Sequence, residues 1–247
     1  MRPPTTSFDP DTPSAGPRPP RPDRRVALER LAMLGLAAVV LPTVATAQPP
    51  HRDAALIEAA ARGDTAAVAG WLSEGASVAA RDARGRTALL AATEGNHVEA
   101  ARRLMAAGAD VNAQDSIRDS PFLLAGARGF TEIVRLALAR NPDFAVTNRY
   151  GGTALIPACH YGHVETVKVL LGSRIPIDHV NNLGWTALLE AIILGDGGPA
   201  HTEIVRLLVA HGADVNLADR AGTTPLAHAR KRGYREIAST LERAGAR

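Results

Sequence analysis

Apolar residues along most of this chain recur in two interleaved patterns. One is a short phrase in which Ser or Thr precedes Ala or Pro and then Leu or Phe. It occurs at Thr87-Ala88-Leu89, Ser120-Pro121-Phe122, Thr153-Ala154-Leu155, Thr186-Ala187-Leu188 and Thr224-Pro225-Leu226. The other is a stripe: Ile133-Val134, Val167 with Leu170-Leu171, and Ile204-Val205 with Leu207-Leu208. Its i, i+3, i+4 spacing gathers apolar side chains on one face of a helix. The phrases are spaced by 33, 33, 33 and 38 residues. Gly63, Asn96, Gly129, Gly162, Gly195 and Gly233 keep the same phase, as do Glu99, Glu132, Glu165, Glu203 and Glu236. The five extra residues fall in the same unit each time, most simply as Asp196-Gly197-Gly198-Pro199-Ala200. One phrase and one stripe per period predict two helices per unit and about six units.

Local chemistry explains the phrases. A Ser or Thr oxygen accepts from the orphan N–H groups at a helix start, and Pro is tolerated at the first helical position. The in-phase glycines supply a left-handed residue between two antiparallel helices, and Asn96 is the one side chain that replaces them. The recurrent Glu, near the start of each second helix, complements the helix dipole. His97, His163 and His201 share a phase and are expected to cap the second helices. Both ends depart from the pattern as capping units would. The first unit lacks the Thr phrase. In the last, Arg230 and Glu242 replace residues that face a following neighbour.

A 33-residue period with Gly108-Ala109-Asp110-Val111-Asn112, Gly212-Ala213-Asp214-Val215-Asn216 and Gly162-His163-Val164-Glu165 resembles the ankyrin repeat. The resemblance implies an all-α solenoid of about six helix-turn-helix units joined by short β-turn or hairpin connections. Residues 51–81 form an N-terminal cap, followed by internal units 82–114, 115–147, 148–180 and 181–218, the last with the insertion 196–200. Residues 219–247 form the C-terminal cap. Where the family usually has His after the Leu, this chain has Leu90, Leu123, Ile156, Leu189 and Ala227, so a drier junction between units is expected. Arg118 replaces the turn Gly of one unit.

The first 47 residues differ. Residues 1–22 hold eight of the 17 prolines and cannot build a core. Arg24 and Arg25, the apolar run 31–41 and Ala45-Thr46-Ala47 then read as a secretory signal peptide within 24–47. The expectation is export, to a bacterial periplasm, with cleavage after Ala47. An uncleaved anchor at residues 31–41 is the alternative. After cleavage no membrane insertion is expected. Residues 1–47 carry six of 28 basic and four of 25 acidic residues, so the remainder holds 22 and 21. That near balance argues against a nucleic-acid partner. A single Cys excludes a disulfide framework.

No nucleophile elbow, zinc-protease helix or phosphate loop is present, so no enzyme activity and no cofactor are expected. Cys159-His160-x-x-His163 has metal-compatible spacing, but Cys159 falls at a buried small-residue phase, so a core-and-cap role is expected and no metal. The resemblance implies instead a monomeric, non-enzymatic scaffold that binds a protein through turn tips and exposed first-helix positions. Mapped by phase, Arg128, Arg149, Tyr150, His160, Tyr161, Leu183, Trp185, Ile193 and Leu194 gather there. Tyr, Trp and Arg dominate interface energies. The insertion is expected to extend this site as a finger. A small-molecule or cofactor pocket around Tyr150, Tyr161 and Trp185 is the alternative.

Overall fold

The computed structural model describes residues 50–247. Among these residues there are twelve α-helices and no strand. They form six successive pairs. The pairs are α1 (Pro50–Arg62) with α2 (Thr65–Ser73), α3 (Ala88–Glu94) with α4 (Val98–Ala106), and α5 (Pro121–Arg128) with α6 (Thr131–Leu138). Then come α7 (Leu155–His160) with α8 (Val164–Leu171), α9 (Ala187–Ile193) with α10 (Pro199–Ala210), and α11 (Pro225–Lys231) with α12 (Arg235–Arg243). The first helices pack one on the next from α1 to α11, and the second helices do the same from α2 to α12. Leu89, Leu104, Ile133, Leu155, Leu170, Leu188 and Ile204 are buried in the core, which runs the length of the stack. Helices this short are marginal alone, so their stability comes from neighbours. No described helix is long and apolar enough to cross a membrane. The Pro-rich lead and the signal peptide expected within 24–47 lie outside the described residues.

Four of the five Ser/Thr caps form. The hydroxyls of Thr87, Ser120, Thr186 and Thr224 accept from the backbone N–H of Leu90, Leu123, Leu189 and Ala227. Thr153 does not cap: its hydroxyl is buried without a partner, and α7 begins at Leu155. Pro157 is the cause. In the other units an N–H donates to the cap residue's carbonyl, as Ala91 does to Thr87 and Glu190 to Thr186. Pro157 stands at that position and has no N–H, so the first turn is never closed on Thr153.

The histidines also differ from expectation. None makes a side-chain cap to its own helix. Each reaches back to the preceding unit instead, Nε2 of His97 to the Ala61 carbonyl (3.1 Å), of His163 to Ala127 (3.2 Å) and of His201 to His160 (2.8 Å). Tyr234 continues the series, its hydroxyl donating to the Gly195 carbonyl at 2.9 Å. Polar links between units therefore exist, carried by a different residue from the one whose absence predicted a dry junction. The apolar replacements Leu90, Leu123, Ile156 and Leu189 are themselves buried.

The insertion is not a projecting finger. Asp196–Gly198 make a turn, and Pro199 and Ala200 add a first turn to α10, which runs 12 residues against eight in α8. The left-handed residue moves with it: Gly197 has φ +70°, whereas Gly195, the in-phase position, is not left-handed. His201 consequently lies inside α10, bonded to Asp196 Oδ1 at 2.8 Å, and Glu203 is no longer in a first turn. Hydrogen bonds from the Gly198 N–H and His201 hold the Asp196 carboxyl below the ordinary carboxylate range. At the C-terminal end Arg230 pairs with Glu242 at 2.7 Å, so the outer face neutralises its own charges.

Candidate protein-binding groove

Each inter-unit turn folds around one side-chain oxygen. Asn148 Oδ1 accepts from the N–H groups of Tyr150 and Gly152, and Asn181 Oδ1 from those of Leu183 and Trp185. Asp82, Asp115 and Asp219 do the same in their units. Each turn closes with a backbone bond such as Asn148 N–H to Gly152 O, and neighbouring tips join through Asn182 N–H to Tyr150 O at 2.8 Å. Arg118 takes the left-handed place of the turn glycines with φ +65°. This local geometry lifts residue two of each turn out of the stack. In the units 148–180 and 181–218 that residue is Tyr150 or Leu183, 53% and 47% exposed.

Between these tips and the ends of α5, α7 and α9 lies a cavity of about 850 Å³. Seven of the nine residues expected at the site line it: Arg128, Arg149, Tyr150, His160, Tyr161, Leu183 and Leu194. Trp185 and Ile193 do not; both are half-buried beside it. The small-molecule alternative thereby loses one of its three aromatic residues. No residue of the insertion 196–200 lines the cavity either, although His201 braces its wall through the His160 carbonyl.

The walls are aromatic and the charges are arranged in layers. The rings of His160 and Tyr161 stack at 4.2 Å with 13° between their planes. The Arg149 guanidinium lies 4.9 Å above the Tyr150 ring and 3.5 Å from Asp119. Deeper down, Glu190 is only 6% exposed. Its Oε1 accepts from Asn181 Nδ2 at 2.8 Å, and its Oε2 lies 3.7 Å from His160 Nδ1. Burial pushes the Glu190 carboxyl above its ordinary value, with the Asn181 hydrogen bond opposing. Burial also pushes the His160 imidazole down, and nearby His201 adds to this. Asp119 is raised by desolvation in spite of Arg149.

Sequence phase missed the floor of the groove. Glu190 shares a phase with Ala91, Leu124, Pro157 and His228, and only the presence of a carboxylate at a mostly uncharged position marks it. Asn181 belongs to the series Asp82, Asp115, Asn148, Asp219, a repeat marker as regular as the glycines.

Cys159-His160-x-x-His163 does not converge. Cys159 is fully buried, and burial, with Glu190 adding, raises its thiol well above the ordinary range. His160 turns toward Glu190 and His163 toward the Ala127 carbonyl. Among the described residues no group of three His, Cys, Asp or Glu side chains is placed to hold a metal ion.

The model of a family described as ankyrin repeats (3 copies) matches residues 34–115, 122–219 and 174–247. The chain belongs to the ankyrin repeat family. Solved ankyrin repeat structures superpose on it. An ankyrin repeat domain from Acinetobacter baumannii AYE is 55% identical, with 78% of this chain and 98% of that one covered and a TM-score of 0.76. The ankyrin repeat protein EF0377 is 44% identical over 77% of this chain and 97% of that one, with a TM-score of 0.75. The ankyrin repeat domain of Bcl-3, a member of the IkappaB family, is 28% identical over 78% and 86%, with a TM-score of 0.70. A protein of Escherichia coli (strain K12) described as an ankyrin repeat protein, YahD, is 54% identical over 57 residues. That match spans 23% of this chain and 28% of YahD. Ankyrin repeat folds are generally protein–protein interaction scaffolds and typically not enzymes.

Proposed function

We propose that this ankyrin stack is a non-enzymatic scaffold that binds one partner protein in the groove between the 148–180 and 181–218 units, outside the cytoplasm. One observation carries the site. Of six large apolar residues exposed among the described ones, Tyr150, Tyr161, Leu183 and Leu194 line this single cavity. Exposed apolar side chains gathered in one concavity, rimmed by Arg128 and Arg149, have the composition of a protein-binding hot spot. The charged, apolar and small-residue order of residues 24–47 supports export.

The test is a comparative pull-down from the native extract with the full chain and its Tyr161→Ala/Leu183→Ala variant, followed by mass spectrometry. A protein held by the wild type and lost by the folded variant is the expected outcome. An identical set from both would overturn the groove. The N-terminal residue of the chain recovered from its own cells tests export: Gln48 is expected, and an intact Met1 would overturn cleavage.

A further inference from the structure

We infer that the groove is built to receive a single cationic side chain, an Arg or Lys of the partner protein, with Glu190 Oε2 as its counter-charge and the rings of Tyr161 and Tyr150 as its walls. The inference rests on the groove being the partner site, and it adds the chemistry that site selects.

The argument starts from Glu190. It is more than nine-tenths buried, yet it lines the cavity. Only one of its two oxygens is satisfied: Asn181 donates to Oε1, while Oε2 has no hydrogen bond among the described residues, His160 being 3.7 Å away. Oε2 is not among the buried side-chain atoms left without a partner, so it opens onto the cavity and is free to accept from a donor that a partner brings.

Among the described residues no Arg or Lys pairs with Glu190, whereas Arg149 pairs with Asp119 at 3.5 Å. His160, the nearest base, is held toward its neutral form by burial and by His201. The remaining group close by, Cys159, is kept protonated by burial. Glu190 thus presents an open carboxylate oxygen, with no Arg or Lys beside it among the described residues, at the end of an aromatic passage.

The passage fits a cation. Tyr161 stacks on His160, and His160 reaches Glu190, so ring and carboxylate are consecutive along one wall. The rim already holds a guanidinium against an aromatic face, Arg149 over Tyr150. Cations are attracted to such faces, more strongly when desolvated. An Arg or Lys stem contributes the apolar length that Leu183 and Leu194 cover, with its head at the floor. An acidic or wholly apolar side chain would leave Oε2 as it is or repel it.

The test uses random peptides displayed on phage, panned against the immobilised full chain. Peptides that survive are synthesised and their affinity is measured by fluorescence anisotropy against wild type, Glu190→Gln and Tyr161→Ala/Leu183→Ala. Gln keeps the shape and the Asn181 hydrogen bond, and a melting curve confirms that it folds. The expected result is one Arg or Lys enriched at a fixed position among apolar residues. Affinity is expected to drop about tenfold or more in Glu190→Gln, equivalent to about 1.4 kcal/mol. A similar drop is expected when the peptide's cation is replaced by citrulline or norleucine. Selected peptides without a cation, or cationic ones indifferent to Glu190→Gln, would overturn the cation and leave the groove standing, provided that Tyr161→Ala/Leu183→Ala abolishes their binding. Peptides that bind that double variant unchanged, or no enrichment at all, would overturn both.

Discussion

The same positions of the repeat do opposite things in two parts of the stack. In the 82–114 unit, the tip residue Arg84 and the first-helix residue Glu94 meet at 3.0 Å. Arg86 bonds both Glu94 and Asp82 there. In the two units that form the groove, the places of Arg84 and Glu94 are taken by Tyr150 and Leu183, and by His160 and Ile193, the last of which stands beside the cavity. The first surface neutralises itself. The second leaves aromatic and apolar area in water and a carboxylate with one free oxygen. The backbone path is the same, so the scaffold does not decide which face binds. The side chains at two phases of the repeat do.

That contrast can be tested in order of expected effect. Leu155→Ala removes a fully buried side chain beneath the groove and should lower stability by about 2–5 kcal/mol, read by chemical denaturation. Tyr161→Ala/Leu183→Ala removes exposed side chains. Stability should change by about 0.5 kcal/mol or less per site. Partner binding should fall about tenfold or more, since hot-spot truncations cost about 2 kcal/mol. A large loss of stability in that double variant would mean the residues are packing, not a site. Arg86→Ala, in the self-paired unit, should cost about 1 kcal/mol of stability, because it leaves Asp82 and Glu94 without their shared partner, and binding should not change.

The smallest effect is the pH dependence, where the two regions should differ in sign. Glu190 has a raised carboxyl in the folded state, owing to burial, so folding favours its protonated form. Its contribution to stability is present below the unfolded value and is lost as pH rises through the folded one. Asp82 is the reverse. Burial opposes its ionisation, but hydrogen bonds from the Arg86 and Arg84 backbone and the Arg86 guanidinium hold its carboxyl below the ordinary value. Its contribution is present above the unfolded value and is lost as pH falls through the folded one. Glu190→Gln should therefore flatten the decline of stability from acid toward neutral pH and raise the Tm at pH 7. Asp82→Asn should flatten the loss toward acid and lower it. Matching slopes from the two variants would erase the distinction.

How much of this was legible before the structure follows from what repeats and what does not. The helix pairs were legible because the apolar stripe and the Ser/Thr caps recur at 33 residues, and periodicity averages out local exceptions. The exposed tips were legible for the same reason: repeat phase alone puts Tyr150 and Leu183 at the turn tips. The exceptions were not. Thr153 matches the cap pattern, but Pro157, four residues on, removes the bond that would seat it. Gly195 matches the glycine phase, yet the insertion transfers the left-handed residue to Gly197 because α10 starts early. Trp185 was misplaced because phase gives the side on which a residue lies, not how deep its neighbours leave it. Glu190 escaped because its neighbours in phase are mostly uncharged, and burial of a charge is visible only in three dimensions.

Pro157 has a mechanical consequence as well. A linear stack behaves like a spring in which each coil grips only its neighbours. In α7 the opening coil is six residues long, lacks its first closing bond and keeps a buried hydroxyl idle. Fewer closing bonds should make it the more compliant coil, and it contributes Ile156, Pro157 and His160 to the cavity that Glu190 also lines. Amide hydrogens near the start of α7 should exchange faster than their counterparts in α3 and α9. An occupant seated there would stiffen the spring where it is softest, so the ends of the stack would feel binding as a change in curvature rather than as a contact.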